Sequence, residues 1–350
     1  MDLGAYPLWL NGTAFVICAV VIWYAGSHLT IYADIIADRT GLGEAFVGLV
    51  VLAVATSLPE IGRTITASAI GNAPLAVSSL FGGITLQTAI LAVADLVIAK
   101  RVLTYFAPRP VLLLQGASVV LLLGVALAGI AEGEVFTLFN VGLWTFLLLG
   151  IYVISLYLLR SYETREVWRP VHVPDELKRE QLDREASRGR YSERATHHIA
   201  LLFGFGSVII FIAGVALAQV GDALATQTGL GAGFVGATLL AFASALPEMS
   251  TTIAAVRLGA YSMAVANIFG TNALLVALLF LGDVFYRQGA ILSAVDRGSV
   301  FAAAAGIVAT AVYLFGLIER RNLKVLGMGI DSLVVLVVYF LSLFALYSLR

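Results

Sequence analysis

Charged residues are scarce in this chain, and so is cysteine. Asp, Glu, Lys and Arg together make up only 12% of the 350 residues, whereas 60% are hydrophobic, and the mean hydropathy is +0.96. A water-soluble surface needs far more charge, so the composition predicts a membrane protein. The net charge of −1 excludes the basic field that a nucleic-acid partner requires. The one cysteine, Cys18, cannot form an internal disulfide and is interpreted as core packing.

Long apolar runs fill most of the sequence. A helix needs about 20 largely apolar residues to cross the hydrocarbon core of a bilayer. The sequence therefore predicts an all-α polytopic membrane protein with ten transmembrane helices, at residues 11–33, 44–70, 73–98, 110–130, 135–159, 197–219, 231–257, 260–283, 298–317 and 328–349. We expect three parts: a first repeat at 1–160, a charged loop at 161–196 that is partly helical at 175–186, and a second repeat at 197–350.

Basic residues are distributed unevenly between the predicted loops. With ten spans and the N-terminus outside, most of the 21 Lys and Arg residues fall on the side of the charged loop. Positive residues near span ends are retained in the cytoplasm. We therefore expect a multi-pass protein of the plasma membrane of the cell, with the charged loop cytoplasmic and both termini outside.

The two halves of the chain repeat one another. Residues 41–60 read GLGEAFVGLVVLAVATSLPE and residues 229–248 read GLGAGFVGATLLAFASALPE. The same offset, 188 residues, holds without a gap from Gly26 and Gly214 to Asp95 and Asp283. Five spans separate equivalent positions, and an odd number of crossings turns the second copy upside down. The fold is therefore expected to be two inverted five-helix repeats, with sites near the midplane where the repeats meet.

One acid lies in the middle of the second span and another in the middle of the seventh. A charge at that depth costs about 2.5 to 3.5 kcal/mol even on a lenient scale, so the twins Glu60 and Glu248 require a compensating function. Each follows a proline, which leaves the carbonyl four residues earlier without its helical hydrogen bond. Two carboxylates with several neutral oxygens form the ligand set that Ca²⁺ prefers. The neutral oxygens come from Thr56, Ser57 and Ser244 and from the carbonyls of Ala55 and Ala243.

Two further features leave alternatives open. Arg63 lies one turn after Glu60, where it either pairs with that acid structurally or modulates the affinity for an ion. Its counterpart in the second copy is Thr251. The twin aspartates Asp95 and Asp283 lie at predicted span ends, where we expect an interfacial role near water.

These motifs resemble those of the sodium/calcium exchanger family within the cation/calcium antiporter superfamily. The resemblance is specific at residues 41–95 and 229–283. It implies an ion site to which both copies of the repeat contribute. The helix after each acid carries a further family motif, which reads ANIFGTN in the second copy and is degenerate, SSLFGGI, in the first. The implied ligands are Glu60, Glu248, Thr56, Ser57, Ser244, the carbonyls of Ala53 and Ala241, Thr271 and Asn272.

Other positions depart from the family pattern. The family tends to have Asn or Asp one turn after the Ser/Thr position of that motif. This chain has Gln87 there in the first copy, which we include as a ligand, and Leu275 in the second. Ala245 likewise replaces a hydroxyl residue. These departures leave the divalent site largely intact and weaken the sodium sites.

The paired acids and the resemblance predict the same function. We expect a secondary active antiporter, not an enzyme, that exchanges Ca²⁺ for Na⁺ by alternating access, with Ca²⁺/H⁺ exchange at the same glutamates as the alternative. The alternatives of another class are an intramembrane lipid-modifying enzyme and a cation channel. Phosphate chemistry would need more basic residues at the site than Arg63, and a channel would carry a steady current. No cofactor is expected. The expected partners are membrane lipid and the transported ions, and the sequence indicates no protein partner.

Overall fold

The computed structural model describes residues 6–98, 102–107, 109–163, 195–228 and 234–348, with only the backbone at 98, 163, 234–240 and 347. The loop helix expected at 175–186 lies outside these ranges. Within them the chain folds into ten long helices, of which the second is bent. They are α1 (Leu8–Thr40), α2a (Glu44–Thr56), α2b (Leu58–Ala69), α3 (Ala73–Ile98), α4 (Val111–Glu132), α5 (Leu143–Glu163), α6 (Thr196–Gln227), α7 (Phe234–Arg257), α8 (Tyr261–Phe285), α9 (Arg297–Glu319) and α10 (Ile330–Ser348).

The lengths and compositions of these helices suit a bilayer. In the described part of the chain, seven helices are long and apolar enough to cross a membrane, and α2a with α2b adds an eighth if the bent pair is one span. The helices α7 and α10 occupy the places of the seventh and tenth predicted spans. Large apolar side chains such as Val20 on α1 and Phe205 on α6 face outward, where lipid would contact them. The predicted all-α membrane fold is confirmed.

Two short hairpins correct the predicted starts of the fifth and tenth spans. Strands β1 (Thr137–Leu138) and β2 (Val141–Gly142) precede α5, and β3 (Lys324–Val325) and β4 (Met328–Gly329) precede α10. Both residues of each hairpin loop have positive φ, as two-residue hairpin loops often require. The two helices therefore begin at 143 and 330 instead of 135 and 328.

The two proline-containing helices differ although their sequences repeat. The helix α2a contains a π-helical stretch, Val47–Leu52, and joins α2b at Ser57 with a bend of 52°. Its counterpart α7 continues through Pro247 without a break. Both prolines lack the N–H of a helical hydrogen bond, yet the helix bends only in the first copy. A proline removes one helical hydrogen bond, and packing by neighbouring helices can hold the helix together at that point.

The helix α8 lies at the centre of the bundle. It packs against α2a, α2b, α3, α4, α5 and α7, and nearly all of its residues are buried. Gly270 permits a close approach, since a Cβ atom there would overlap the backbone of Leu49 in the π-helical stretch. A Cβ atom at its twin, Gly82 on α3, would meet no described atom within 4 Å. The same position of the repeat is therefore tightly packed in one copy and open in the other.

Asp95, near the end of α3, connects the first repeat to a hairpin of the second. Its Oδ1 accepts a hydrogen bond from the backbone N–H of Leu103 at 2.6 Å. Its Oδ2 accepts one at 2.7 Å from Gly329, the last residue of the hairpin before α10. The carboxylate therefore joins two segments that are distant in sequence.

Asp283, near the end of α8, makes the same connection in the opposite direction. It accepts backbone hydrogen bonds from Ile291 and from Gly142 of the first-repeat hairpin, and a third bond from the Thr145 hydroxyl, each at 2.7 Å. Asp95 and Asp283 are 0% and 1% exposed, so the expectation that they lie near water is wrong. We call these two sets of bonds the aspartate latches.

Candidate functional site

Glu60 and Glu248 lie close enough to interact electrostatically, where the two repeats meet. Glu60 lies in the first turn of α2b, just after the bend, and Glu248 follows Pro247 in α7. They are 6% and 0% exposed. No described residue donates a hydrogen bond to either carboxylate oxygen of Glu248 or to Oε2 of Glu60. Buried carboxylate oxygens without donors are costly, so a bound cation would stabilise them.

Three hydroxyl groups lie at or near these acids. Thr56 and Ser57 are at the bend between α2a and α2b, and both are fully buried. The Ser57 hydroxyl has no hydrogen-bond partner among the residues that the structure describes. The Thr56 hydroxyl lies near Glu248 but donates to the Ala53 carbonyl at 3.2 Å. Ser244 lies one turn before Glu248 on α7, so both repeats contribute neutral oxygens.

The carbonyl of Ala53 is already engaged. It accepts the backbone N–H of Ser57 at 3.0 Å and the hydroxyl of Thr56 at 3.2 Å, which occupies both lone pairs of the oxygen. The implied role of this carbonyl as an ion ligand is therefore set aside for this conformation. Its counterpart Ala241 borders the cavity described below.

Arg63 bridges the two copies of the repeat. Its Nη2 lies 3.4 Å from Oε1 of Glu60, and its Nη1 donates a hydrogen bond of 2.9 Å to the hydroxyl of Ser244. The guanidinium also acts electrostatically on Glu248. One third of the side chain, 33%, remains exposed. A fixed positive charge is therefore part of the site.

A cavity of about 640 Å³ connects these groups with one end of the bundle. Its inner wall includes Glu60 and Ser244, and its outer part includes Asp222, near the end of α6, and Asp296, which caps α9. The start of α1 also lies at this end, because Asn11 donates a hydrogen bond of 3.1 Å to Gln227 in the last turn of α6. Acids at the mouth of a cleft raise the local concentration of cations.

Further polar groups lie on α3 and α8. The hydroxyl of Thr271 and the side-chain carbonyl oxygens of Gln87 and Asn272 are buried and lack hydrogen-bond partners within the described ranges. Gln87 borders the cavity, and the Asn272 amide donates to Thr88 at 3.1 Å. Asn267 uses its amide to bind two hydroxyl groups of α7. Three of the oxygens that the sequence assigned to ions are therefore without donors.

The chemistry of the site suits a hard cation bound mainly by neutral oxygens. No group of three Asp, Glu, His or Cys side chains in the described segments could hold a metal ion. Two carboxylates with hydroxyl, amide and carbonyl oxygens remain, and hard cations accept that ligand set. The sequence predicted the acids and hydroxyls. It gave no signal for the contact between Arg63 and Ser244, which are 181 residues apart, because that contact depends on how α2b packs against α7.

This chain is similar to known membrane proteins. The sequence profile of the family described as sodium/calcium exchanger protein matches residues 11–162 and 198–348. The inner membrane protein YrbG of Escherichia coli (strain K12) is 26% identical over 272 residues. That alignment covers 75% of this chain and 76% of YrbG.

The fold is similar to solved structures of the sodium-calcium exchanger NCX_Mj. The structure soaked with 10 mM Na⁺ and 10 mM Sr²⁺ has a TM-score of 0.73 at 16% identity, over 97% of this chain and 99% of that one. The structure soaked with 2.5 mM Na⁺ and 10 mM Sr²⁺ has a TM-score of 0.72 at 17% identity over the same shares. At this level of identity the likeness is one of fold.

Proposed function

The chain belongs to the sodium/calcium exchanger family, and from this we propose that it is a secondary antiporter that exchanges Ca²⁺ for a monovalent cation. One observation carries the proposal. Two buried carboxylates, Glu60 and Glu248, meet between inverted repeats with oxygens that no described residue satisfies. A cavity reaches this site from one end of the bundle.

Ca²⁺ is the ion that the available ligands suit best. The two carboxylates supply the negative charge that balances Ca²⁺. Neutral oxygens complete the roughly six to eight ligands that this ion takes. Gln87 and Asn272 offer amide oxygens to the monovalent ion. We assign to the divalent ion Glu60, Glu248, Thr56, Ser57, Ser244, Thr271 and the carbonyl of Ala241.

Na⁺ is the first candidate for the monovalent ion because the family is one of sodium/calcium exchangers. A proton is the second candidate, and the composition of the cavity wall supports it. Ala245 and Leu275 border the cavity at positions where the family tends to have oxygen ligands for sodium. A proton needs no such ligands, since it can bind a carboxylate directly.

Electrostatics explains why exchange is expected instead of simple release. An unpaired carboxylate in a low-dielectric interior is disfavoured by several kcal/mol, by an order-of-magnitude estimate. The site therefore returns across the membrane only when a cation neutralises it. The coupling of the two ions follows from this requirement.

The helices α1 and α6 form the part of the bundle that we propose to move. They pack along each other more extensively than along any other described helix. They also contact the two helices that carry the acids. Gly214 on α6 lies against Pro59, and Thr30 on α1 donates a hydrogen bond of 3.1 Å to the carbonyl of Thr251. A sliding movement of this pair would close the cavity at one end and open the site at the other.

The protein is a multi-pass membrane protein, and we propose the following topology. The similarity to an inner membrane protein supports the cell membrane as its location. The distribution of basic residues supports a cytoplasmic segment at 161–196 between the repeats at 1–160 and 197–350, with both termini outside. The cavity would then open to the outside.

Transport by the purified protein in liposomes tests the function. Liposomes loaded with NaCl should accumulate ⁴⁵Ca²⁺ when Na⁺ is diluted outside, and a sodium ionophore should abolish the uptake. Uptake driven by a pH gradient alone would select proton exchange. A steady ohmic current would identify a channel instead. Absence of uptake under both gradients would overturn the proposal.

A further inference from the structure

The two aspartate latches have matching hydrogen bonds but different surroundings. Their hairpins repeat one another at an offset of 187 residues, so that Gly142 corresponds to Gly329. The same offset relates the ends of α4 and α9, where the N–H groups of Gly133 and Arg320 each bond the carbonyl four residues earlier. The residues beside the two latches can therefore be compared position by position.

Four corresponding positions differ in the same way. Each is hydrophobic beside Asp283 and carries a side-chain oxygen beside Asp95. The pairs are Trp144 and Asp331, Ala126 and Tyr313, Leu123 and Thr310, and Leu292 and Thr104, of which the last two each follow the residue whose N–H bonds the aspartate. Among the four polar residues, Tyr313, Thr310 and Thr104 are 0 to 1% exposed. Buried polar groups are costly unless they have partners, so four such changes at one location need a common explanation.

Asp331 takes the place of a tryptophan that is satisfied within its own copy. The ring of Trp144 packs on Gly129, and its Nε1 donates a hydrogen bond of 3.0 Å to the carbonyl of Gly133. In the second copy the carboxylate of Asp331 lies on Gly316 instead, where a Cβ atom would overlap it. A negative charge therefore stands where the first copy has an indole.

The oxygens at this location lie close together. Asp331 and Asp95 flank Gly329, where a Cβ atom would overlap Oδ1 of Asp331 and lie 3.3 Å from Oδ2 of Asp95. Thr104 lies beside Asp331. Tyr313 lies one turn before Gly316 on α9 and is close enough to interact electrostatically with both carboxylates. The two acids, the phenol and the hydroxyl thus form one cluster.

Several of these oxygens have nothing to bind within the protein. The Oδ2 atom of Asp331 and the hydroxyl groups of Tyr313 and Thr310 are buried and lack hydrogen-bond partners in the described part of the chain. We propose that the cluster is a second cation site, separate from the paired glutamates, which binds a small monovalent cation such as Na⁺. Asp331 and Tyr313 are its central ligands, and all of its available ligand atoms are oxygens, as hard cations prefer.

The charges around the cluster favour a monovalent ion. Lys324 acts electrostatically on Asp95, whose two oxygens already accept backbone hydrogen bonds. The guanidinium of Arg320 lies over the ring of Tyr105, 5.9 Å from its centre. One carboxylate with a free oxygen, that of Asp331, is left for a ligand. Sites for Ca²⁺ usually supply several free oxygens and more than one carboxylate, so Na⁺ suits this set better.

The cluster lies at the end of the bundle opposite the cavity. The first turns of α3 and α9 border the cavity with Leu75 and Asp296, and these helices run from there towards Asp95 and Arg320. The helix α10 runs back from Asp331 to the cavity, which its last turns border. A cation in the cluster would join the repeats where the bundle is closed. The inference does not depend on the proposed exchange, because the cluster is remote from the glutamates.

Thermal unfolding in detergent tests the site without measuring transport. The double variant Glu60→Gln/Glu248→Gln removes the acids of the proposed transport site. In this background, replacing N-methyl-D-glucamine chloride with NaCl at constant ionic strength should raise the unfolding temperature by about 3 °C or more, and the rise should saturate. The organic cation has the same charge but is too large to enter a buried cluster, so it controls for screening.

Two further substitutions in the same background assign the effect to the cluster. Asp331→Asn should abolish the rise with NaCl. Tyr313→Phe removes only the hydroxyl group and should raise the NaCl concentration at half-maximal effect by about tenfold. Tyr152→Phe makes the same change at another buried tyrosine, on α5, and should leave the NaCl response unchanged. If Asp331→Asn folds poorly, Tyr313→Phe and its control still decide.

The possible contrary results are distinct. Equal unfolding temperatures in the two salts, or a full response to NaCl in both Asp331→Asn and Tyr313→Phe, would overturn the inference. Stabilisation by Ca²⁺ that is lost in Asp331→Asn would overturn the assignment to a monovalent ion. Stabilisation by low pH alone, also lost in Asp331→Asn, would show a bound proton instead of a metal ion and would equally overturn it. Failure of the wild type to exchange Ca²⁺ concerns only the proposed function.

Discussion

Two symmetric pairs of buried acids in this bundle differ in how their oxygens are satisfied. Asp95 and Asp283 accept backbone hydrogen bonds of 2.6 to 2.7 Å on both oxygens. Glu60 and Glu248 are also buried, yet three of their four oxygens receive no hydrogen bond from the described residues. The first pair is satisfied within the protein, and the second keeps the oxygens to which we propose that a cation binds.

The difference separates acids whose hydrogen bonds connect segments of the fold from acids that we propose to bind ions. Each aspartate latch joins a helix end to a hairpin of the opposite repeat, so the latches connect the inverted halves at both ends of the bundle. The two latches are near copies of each other. At the glutamates the halves differ, because one copy has a bend and Arg63 while the other has a continuous helix and Thr251. The symmetry is thus kept at the latches and lost at the site.

The largest effect is expected from breaking a latch. Asp283→Ala leaves the N–H groups of Ile291 and Gly142 without an acceptor in a buried location, whereas the hydroxyl of Thr145 still has the carbonyl of Gly142 at 2.8 Å. We expect a loss of roughly 3 to 5 kcal/mol in stability, measured as a lower unfolding temperature in detergent. Asp283→Asn keeps one acceptor oxygen and should lose less.

The latch variants also test the proposed division between the aspartates, which hold the fold, and the glutamates, which bind ions. Transport per folded molecule should be close to wild type for Asp283→Ala and for Asp95→Ala, because neither acid borders the described cavity. A variant that folds like wild type but no longer transports would place that aspartate in the ion pathway. The division between the two pairs would then be wrong.

The glutamates should give the opposite result. Glu60→Gln and Glu248→Gln remove a charged ligand, so we expect the rate of ⁴⁵Ca²⁺ exchange to fall by at least about 100-fold. The unfolding temperature without Ca²⁺ should stay the same or rise, since a buried and poorly satisfied charge is removed. Ca²⁺ should stabilise the wild type against heat and not the variants.

Glu132 provides the control for the glutamate variants. It is an exposed acid at the end of α4, and Glu132→Gln makes the same chemical change outside the site. It should alter neither exchange nor stabilisation by Ca²⁺. If Glu248→Gln binds Ca²⁺ as tightly as wild type, the acids do not form the divalent site.

The sequence predicted the fold because hydropathy and the repeat are strong and local signals. The inverted architecture followed from an offset shared by Glu60 and Glu248 and from the odd number of spans between them. The twin aspartates were visible for the same reason, but their burial was not. Burial of Asp95 and Asp283 depends on hairpins that overlap the starts of the fifth and tenth predicted spans, where hydropathy alone does not indicate a strand. Only packing between the repeats brings Gly329 and Gly142 to these acids.

The asymmetry of the site was less predictable. Pro59 and Pro247 have the same neighbours in sequence, yet only the first accompanies a break. Periodicity and motif reading treat both copies alike, so neither could indicate which would bend. Arg63 was recognised as having no twin, but its reach to Ser244 is a tertiary contact. The site residues therefore stay a prediction from the sequence, and their arrangement could not be predicted from it.

The smallest effect is expected at an acid that is satisfied but exposed. Asp296 caps α9, where its carboxylate accepts a hydrogen bond of 2.9 Å from the backbone N–H of Ser299 and one from the hydroxyl of that residue. These bonds hold the pKa of Asp296 below its ordinary value. Asp296→Ala should lower stability by about 1 kcal/mol, as loss of a helix cap does.

The pH dependence of this loss tests whether the cap acts as a carboxylate. A lowered pKa in the folded state means that the contribution is fully present above the ordinary pKa of an aspartate, about 3.9, and fades only as the pH falls through the lower value. The stability difference between wild type and Asp296→Ala should therefore be the same at pH 8 and pH 5. A difference that disappears by pH 5 would contradict the lowered pKa. If Asp296→Ala lowered stability as much as Asp283→Ala does, burial of an acid would not determine how much stability its removal costs. The contrast between the exposed Asp296 and the buried Asp283 would then be wrong.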